Sequence, residues 1–359
     1  MMNNAMSSLW PAPVEPVARK ALQDVENLPI PVRSVLPTGN GAFIVHSELS
    51  HTLPGYELKG YNPYLASIPG LPDRNLRAWL GQCNLIHMSP NTGHVPLRHG
   101  IRRVLTFHSF DIDPDDMEQA STVQRFYYRN VLRHAVNAAT KSADRLVAVS
   151  KFVADSVRRH CPIDAKPVEV IYNGIDTQRF RPIKDVDRDR PLRVLFVGNP
   201  TRRKGFHLLA GLAEQLPDGV ELAFTSGLRD EQVKTAHKRL VSLGHVPYSE
   251  MHRLYQQADI LLFPAYREGF GLCVAEAMAS GLPVVSTNCS AIPELIDEER
   301  GGFLVAPGDI PAMLERTRSL LASPELRRDM GEWNRARAVR DFDRAKMANG
   351  YHDLFASLS

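Results

Sequence analysis

Short apolar runs alternate with segments of helical spacing through the second half of the chain. The apolar runs predict strands at residues 192–197, 220–224, 245–246, 259–263 and 283–286. Apolar residues at helical spacing predict helices at 206–215, 231–243, 249–257 (with Ser249 as the N-cap), 272–280, 325–340 and 344–358. Such an order of apolar strands and helices predicts a parallel sheet that is covered by helices on both faces.

The first half is less regular but has the same kind of pattern. Strands are predicted at residues 32–36, 41–45, 85–88, 103–107, 145–149 and 168–172, and helices at 14–25, 121–143 and 151–160. The polar run 187–191 marks a boundary, so we predict an N-terminal domain over 1–186 and a C-terminal domain over 187–341. The last helix, at about 342–359, is expected to pack back on the first domain. Open parallel sheets bind ligands at the carboxyl ends of their strands, which predicts a cleft site between two such domains.

Composition narrows the class of protein. The 359 residues carry a net charge of +3, with 43% hydrophobic and 23% charged residues, as in an ordinary globular protein. No apolar run approaches the roughly 20 residues of a membrane span, and the first residues lack a signal-peptide pattern, so a cytoplasmic location is expected. The four cysteines are far apart and predict free thiols rather than disulfides or a zinc site. Basic patches interleaved with aromatic residues are absent, so nucleic acid is not an expected partner.

The most specific motif follows the strand predicted at 259–263. Two glycines, Gly269 and Gly271, precede a helix whose free amides and positive dipole end form an anion site, and they allow the backbone to approach a diphosphate closely. Glu268 and Glu276 are eight positions apart, and the second carboxylate can accept hydrogen bonds from a ribose diol beside the phosphates. This spacing predicts a site for a nucleotide diphosphate.

Two further segments carry candidate chemistry. Gly198 ends the strand at 192–197, and Lys204 follows a short basic loop, where a fixed cation can neutralise a departing diphosphate. His108 lies at the end of the strand at 103–107. The acidic run that contains Asp111 and Asp113 imitates a DxD metal motif, but it continues as a solvated loop and no metal is expected there.

Together these segments resemble the retaining glycosyltransferases of family 4, whose hallmark E-x7-E arrangement is matched by Glu268 and Glu276. The resemblance implies a GT-B fold, with two Rossmann-like domains that face a central cleft. It further implies that Glu268 contacts the transferred sugar, that Glu276 contacts the ribose, and that His108 faces the sugar. Lys204 is the expected phosphate-binding lysine.

The resemblance extends to the other donor-binding residues. It implies that the backbone at Phe270, Gly271 and Leu272 holds the phosphates and the sugar hydroxyls, and that Val246 contacts the base. Asn199, beside Gly198, occupies a position where the family usually has arginine, and Arg202 or Arg203 is the expected substitute. Residues 10–14 stand where the family has a glycine-rich loop, so the acceptor side departs most from the pattern.

The expected function is therefore transfer of a hexose-type sugar, with retention, from a UDP- or GDP-sugar on the C-terminal domain to a hydroxyl acceptor on the N-terminal domain. The acceptor is a glycan, a lipid-linked molecule or a small molecule, and peripheral contact with the inner face of the membrane stays open. Neither a metal nor a cofactor is expected. The alternatives are a nucleotide-sugar epimerase or a phosphorylase on the same fold, a non-catalytic sugar-nucleotide-binding protein, and a dehydrogenase, for which no early GxGxxG motif is present.

Overall fold

The chain forms two compact units, each built around one parallel sheet. The computed structural model describes residues 28–62, 74–91, 99–110, 122–163, 166–183, 190–226 and 238–358. The described residues of Val25–Ile175, Arg267–Leu272 and Phe342–Ser359 make up the N-terminal unit. Those of Asp176–Tyr266 and Cys273–Asp341 make up the C-terminal unit. The predictions for residues 10–14, 14–25 and 111–118 lie outside the described residues.

The sheet of the N-terminal unit has six parallel strands in the order β2-β1-β3-β4-β5-β6. The strands are β1 Val32–Pro37, β2 Tyr56–Tyr61, β3 Leu85–Met88, β4 Arg102–Phe107, β5 Arg145–Ala148 and β6 Val168–Val170. The helices are α1 Gly41–Thr52, α2 Arg74–Leu80, α3 Thr122–Tyr127, α4 Arg133–Ser142, α5 Lys151–His160 and α12 Arg344–Ala356. A π-helical turn, Tyr128–Leu132, joins α3 to α4, so the helix predicted at 121–143 is continuous but not uniformly α-helical.

The strand predicted at 41–45 is wrong, because these residues open α1. Asn40 caps the helix: its side-chain oxygen accepts a hydrogen bond of 2.8 Å from the Phe43 backbone amide. Val45, Leu49 and Thr52 are buried, and their i, i+4, i+7 spacing is that of one helix face. A continuous apolar run of five residues does not show whether it has the period of a strand or that of a helix. Here the N-cap at Asn40 starts a helix.

The last helix, α12, completes the core of the N-terminal unit. Its buried side chains pack with those of α1, β1, β3, β4 and β5; they are Met347, Ala348, Tyr351, Leu354 and Phe355. Gly174 approaches the same helix so closely that a Cβ there would lie 2.5 Å from the Arg344 Cα. Gly174 therefore has a packing role, since no larger residue fits against α12 at this point.

The C-terminal unit has a second parallel sheet, in the order β12-β11-β10-β7-β8-β9. The strands are β7 Leu192–Phe196, β8 Val220–Phe224, β9 Leu240–Ser242, β10 Ile260–Phe263, β11 Val284–Thr287 and β12 Gly302–Val305. The helices are α6 Leu209–Glu214, preceded by a 3₁₀ turn Phe206–Leu208, then α7 Met251–Gln256, α8 Leu272–Ala279, α9 Ile292–Leu295, α10 Ile310–Ala322 and α11 Pro324–Asp341. Strands β7 to β9 extend the sheet in one direction and β10 to β12 in the other.

Three details of this unit correct the sequence predictions. Residues 240–242 form β9, although a helix was predicted to continue to 243, and residues 227–237 lie outside the described part. His245 and Val246 lie in irregular backbone rather than in a strand. The N-cap of α7 is Glu250, one residue after Ser249, and no side-chain hydrogen bond caps the helix there.

The segment that follows Ile175 is bound to the C-terminal unit by α11. Nη1 of Arg335 donates hydrogen bonds of 2.7, 2.8 and 2.9 Å to the carbonyls of Thr177, Phe180 and Ala279. The change of unit therefore falls at Asp176, ahead of the polar run at 187 on which the predicted boundary was based. The four cysteines are free thiols, as predicted, with Cys289 partly exposed and the other three buried.

Candidate functional site

Neighbouring strands β7 and β10 mark the point where the strand order of the second sheet reverses. Such a switch point leaves a crevice at the carboxyl ends of the two strands, because the connections that leave them go to opposite sides. The loops that carry the predicted motifs start here, after Phe196 and after Phe263.

Lys204 lies directly over Gly198, at the end of β7. A Cβ on Gly198 would lie 2.8 Å from the Lys204 Cδ and 3.1 Å from its Nζ. The Gly198 amide donates a 3.1 Å hydrogen bond to the Thr225 hydroxyl, and Nζ of Lys204 is 5.5 Å from the centroid of the Phe263 ring. The fold thus holds this ammonium group at the switch point, beside the ends of both β7 and β10.

The loops after β7 and β10 are joined by backbone contacts. The Tyr266 amide donates a 2.8 Å hydrogen bond to the Arg203 carbonyl. Gly205 has a φ of 74°, and a Cβ there would lie 2.0 Å from the Pro264 carbonyl oxygen, so only glycine fits. Arg203 is partly buried, whereas Asn199 is exposed. The basic loop is therefore a fixed part of this edge of the sheet.

Glu276 is a buried carboxylate on an apolar helix. It is 4% exposed, and its neighbours from Cys273 to Ala279 are buried too. The Tyr255 hydroxyl donates a 2.7 Å hydrogen bond to Oε2 of Glu276. Burial and the negative charge of Glu276 raise the pKa of Tyr255 well above its usual range, so the tyrosine stays a donor. Tyr255 was not predicted, and no sequence pattern links it to a glutamate 21 positions away.

The loop Arg267–Leu272 belongs to the N-terminal unit, where it packs against the end of β4. A Cβ on Gly269 would lie 2.1 Å from the carbonyl oxygen of His108, so this close approach requires glycine. The Ser150 hydroxyl donates a 2.7 Å hydrogen bond to the Gly269 carbonyl. The fold thereby brings the glycine loop and the predicted histidine together.

The remaining residues of this loop differ in exposure. Phe270 is 2% exposed and packs against the rings of Tyr172 and Phe342, at centroid distances of 6.2 and 5.7 Å. Glu268 and Leu272 are partly exposed, and Gly271 has a φ of 98°, which favours glycine. The Phe270 side chain is thus a core residue, and only its backbone is available for binding.

His108 follows the last residue of β4; the residue as a whole is partly exposed, but Nδ1 of its ring is buried. Its Nε2 lies 3.1 Å from Nε2 of His46, a residue that the sequence analysis did not single out. Burial lowers the pKa of His108 to about 3, so the imidazole is neutral at physiological pH. Within the described part of the chain, its Nδ1 has no hydrogen-bond partner.

Val246 is partly buried in the irregular segment after β9. The Ser226 amide donates a 2.9 Å hydrogen bond to the carbonyl of Gly244, whose φ of 68° turns the chain just before this segment. Contact of Val246 with the nucleotide base stays a prediction.

The described ranges of the chain contain no group of three or more His, Cys, Asp or Glu side chains that could hold a metal ion. No helix in them is both long enough and apolar enough to cross a membrane.

Family models match both halves of the chain. Residues 28–179 match the model described as Glycosyltransferase Family 4, and residues 191–323 match the one described as Glycosyl transferases group 1. Among curated proteins, alpha-maltose-1-phosphate synthase of Mycolicibacterium smegmatis is 28% identical over 357 residues, covering 89% of this chain and 88% of the relative.

Solved structures share the fold over nearly the whole chain. Sucrose-phosphate synthase of Thermosynechococcus elongatus has a TM-score of 0.76 at 21% identity, covering 91% of this chain and 98% of its own. HepE of Anabaena, solved with UDP, has a TM-score of 0.69 at 18% identity, and the match covers 91% of this chain and 100% of the HepE chain. With both halves matched by family models and two six-stranded parallel sheets, the chain belongs to glycosyltransferase family 4 and has the GT-B fold.

Proposed function

We propose that this glycosyltransferase moves a hexose-type sugar from a UDP- or GDP-sugar to an acceptor hydroxyl, with retention of configuration and without a metal ion. The observation that carries the proposal is the position of Lys204 over Gly198, at the switch point of the second sheet. A cation fixed at the carboxyl ends of parallel strands is suited to a diphosphate.

Positive charge supplied by the protein supports a metal-independent reaction. As the sugar leaves, negative charge develops on the diphosphate, and fixed donors stabilise it without any reorganisation. Lys204 supplies a full charge, Arg203 adds a second in the same loop, and the amides at the start of α8 add the positive end of a helix dipole. Asn199 is exposed beside them and takes the place of the family's usual arginine.

The buried carboxylate of Glu276 supports recognition of the nucleotide. The hydrogen bond from Tyr255 fixes the orientation of this carboxylate, which makes it a preorganised acceptor for a ribose diol. HepE, solved with UDP and with UDP-glucose, shares the fold and supports a nucleotide-sugar donor here. We assign contact with the base to Val246.

Glu268 and His108 are assigned to the transferred sugar. Gly269, next to Glu268, packs on the His108 carbonyl, so both side chains start from one small region of the N-terminal unit. The backbone of Phe270, Gly271 and Leu272 is assigned to the phosphates and the sugar hydroxyls.

The proposed transfer reaction needs no general base from the protein. The acceptor oxygen forms a bond to the anomeric carbon on the same face from which the diphosphate leaves. The bond between the anomeric carbon and the phosphate oxygen breaks, and the leaving phosphate takes the proton of the acceptor hydroxyl. His108, neutral and with a pKa lowered to about 3 by burial, is a poor base and fits a hydrogen-bonding role.

The decisive experiment is a thermal-shift panel of UDP-, GDP- and ADP-sugars, followed by transfer assays with and without EDTA. We expect one nucleotide class to raise the melting temperature, product to form in EDTA, and the anomeric proton of the product to show the configuration of the donor by NMR. Inverted product, or strict dependence on a divalent ion, would overturn the mechanism. Interconversion of donor sugars without an acceptor would identify an epimerase instead.

The transfer assays use one acceptor from each acceptor class that the sequence leaves open. Because the Mycolicibacterium smegmatis relative is named for making maltose 1-phosphate, a sugar phosphate is included beside an oligosaccharide and a lipid-linked acceptor. Binding of a nucleotide-sugar with no transfer to any acceptor class would favour the non-catalytic alternative.

A further inference from the structure

A serine hydroxyl at the carboxyl edge of the second sheet is buried without a partner in the protein. Ser226 is the second residue after β8 and is 7% exposed. Its Oγ forms no hydrogen bond within the described part of the chain. Nearly all buried polar side-chain atoms of folded proteins have a hydrogen-bond partner, so a hydroxyl that lacks one in the chain itself points to a partner from outside it.

Backbone hydrogen bonds fix the position of Ser226 between β7 and β9, the two neighbours of β8. The Thr225 amide donates a 3.2 Å hydrogen bond to the Phe196 carbonyl at the end of β7. The Ser226 amide donates one of 2.9 Å to the Gly244 carbonyl, just beyond β9. The pairing of the sheet thus continues past the last residue of β8, and the sheet itself holds Ser226 in place.

On the β7 side, the residue before Ser226 contacts the proposed diphosphate site. The Thr225 hydroxyl accepts a 3.1 Å hydrogen bond from the Gly198 amide, and Lys204 lies over that glycine. Ser226 is therefore one residue away from a side chain that touches the glycine beneath the proposed phosphate-binding lysine.

On the β9 side, Gly244 begins the segment that leads to α7. Val246 in this segment is assigned to the base, and Tyr255 on α7 holds the carboxylate of Glu276, which is assigned to the ribose. A nucleotide with its diphosphate at Lys204 and its ribose at Glu276 would present its base to this segment. Ser226, which is bonded to the first residue of the segment, lies beside the expected position of the base.

Buried atoms without a partner also occur elsewhere in the described C-terminal unit, but on helices. Oγ of Ser280 directly follows α8, and Nε1 of Trp333 and Oδ1 of Asn334 belong to α11. Because α8 follows β10, it starts near the carboxyl edge of the sheet, and its length of about 12 Å places Ser280 at the far end. Of these groups, Ser226 is the one that lies where open parallel sheets bind ligands.

We infer that the Ser226 hydroxyl binds the base of the donor nucleotide. The inference rests on the proposed function, which supplies that nucleotide. A hydroxyl has one proton to donate and lone pairs that accept, and the edges of uracil and guanine carry both carbonyl oxygens and N–H groups. Either base can therefore complete the hydrogen bonding of a side chain that the described residues leave without a partner.

Ser226→Ala separates a contact with the ligand from a contact within the protein. The variant loses a hydroxyl that bonds to no described residue, so without nucleotide we expect an unchanged or higher midpoint of urea denaturation. It also loses one hydrogen bond to the base. Its affinity for UDP or GDP, whichever the wild type binds more tightly, should therefore fall by roughly 2- to 12-fold in calorimetry.

Two results of this experiment would overturn the inference. The first is wild-type affinity for the nucleotide in folded Ser226→Ala. The second is a lower denaturation midpoint without nucleotide, because it would show that the hydroxyl bonds within the protein.

Ser280→Ala is the matched control, because it removes another buried hydroxyl that has no partner among the described residues. We expect its denaturation midpoint to be unchanged or higher, as in Ser226→Ala, and its affinity for the nucleotide to equal that of the wild type. An equal loss of affinity in the two variants would overturn the inference, because the loss would not depend on the place of the hydroxyl at the sheet edge.

Ribose 5-diphosphate, which has no base, locates the contact on the nucleotide. Its affinity, measured by competition with the nucleotide, should be the same in Ser226→Ala and in the wild type. A loss as large as the loss for the nucleotide would place the hydroxyl at the ribose or the diphosphate and would overturn its assignment to the base.

Failure of the proposed function gives a different result from failure of this inference. If the wild-type protein binds neither UDP nor GDP, both are overturned. If the wild type binds one of them and Ser226→Ala binds it equally well, the role of Ser226 is overturned and the proposed function stands.

Discussion

At the scale of single residues, the candidate site depends on side chains held by partners that are distant in sequence. Lys204 lies over Gly198, and Glu276 is bonded to Tyr255. Motif spacing identified both charged residues, because the glycines and the E-x7-E arrangement are contiguous in the chain. Their supporting contacts could not be predicted, since nothing local links Tyr255 to Glu276.

Lys204→Met should reduce transfer much more than it reduces stability. The ammonium group is replaced by a side chain of similar length, and the departing diphosphate loses a fixed charge, so we expect kcat to fall by roughly 10²- to 10³-fold. Lys141→Met, on an exposed face of α4, is the matched control and should keep wild-type kcat. Steady-state kinetics with the preferred donor measures both, and wild-type kcat in Lys204→Met would refute the role given to this lysine.

Tyr255→Phe should weaken donor binding. The change deletes one hydroxyl, so Glu276 loses a hydrogen bond to a charged group, which is worth about 1.5–3 kcal/mol. We expect roughly 10-fold lower affinity for the nucleotide by calorimetry. Tyr127→Phe, on α3, provides the comparison and should bind normally. Unchanged affinity in Tyr255→Phe would mean that Glu276 needs no such support.

At the scale of elements, the sequence predicts most of the strands, and the errors have physical causes. Residues 85–88 and 151–160 form the predicted elements. Residues 41–45 do not form the predicted strand, because the cap at Asn40 starts a helix there. Their apolar run is too short to show a helical period. Strands β2, β9 and β12 were not predicted, and each lies at an edge of its sheet. β2 has polar positions, β9 is only three residues long, and β12 begins with a glycine, so none has a clear apolar run.

Gly205→Ala should destabilise the joined loops of β7 and β10. An added Cβ would lie 2.0 Å from the Pro264 carbonyl oxygen, and the φ of 74° disfavours any side chain, so we expect a loss of more than about 1 kcal/mol. Gly211→Ala, within α6, meets nothing within 4 Å and should gain up to about 1 kcal/mol. Urea denaturation of the two variants should therefore move the midpoint in opposite directions, and a shift of the same sign in both would contradict the packing described here.

At the scale of the whole molecule, burial of the neutral histidines should make stability depend on pH. The folded-state pKa values of His46 and His87 lie below the unfolded value of about 6.5, so the unfolded chain takes up protons first as the pH falls. The stabilisation is complete above pH 6.5 and decreases below it, by at most about 1.4 kcal/mol per pH unit for each buried histidine.

Unfolding free energies measured between pH 7.5 and 5 test this dependence. His87→Gln keeps hydrogen-bonding groups but cannot titrate, so the slope between pH 6.5 and 5 should become shallower. His51→Gln, which changes an exposed histidine at the end of α1, should leave the slope as it is in the wild type. Identical slopes in His87→Gln and the wild type would contradict a neutral His87 in the folded protein.

The return of the chain to the N-terminal unit at Phe342 has a consequence for biosynthesis. The ribosome makes the six strands of the first sheet before residues 176–341, but the side chains of α12 that close the core of that sheet emerge only after them. Until then, the apolar surface around Leu49 and Val104 lacks its cover, and the nascent chain must stay soluble with that surface open. A stop codon before residue 343 would therefore damage the unit whose sheet had been translated before the C-terminal unit.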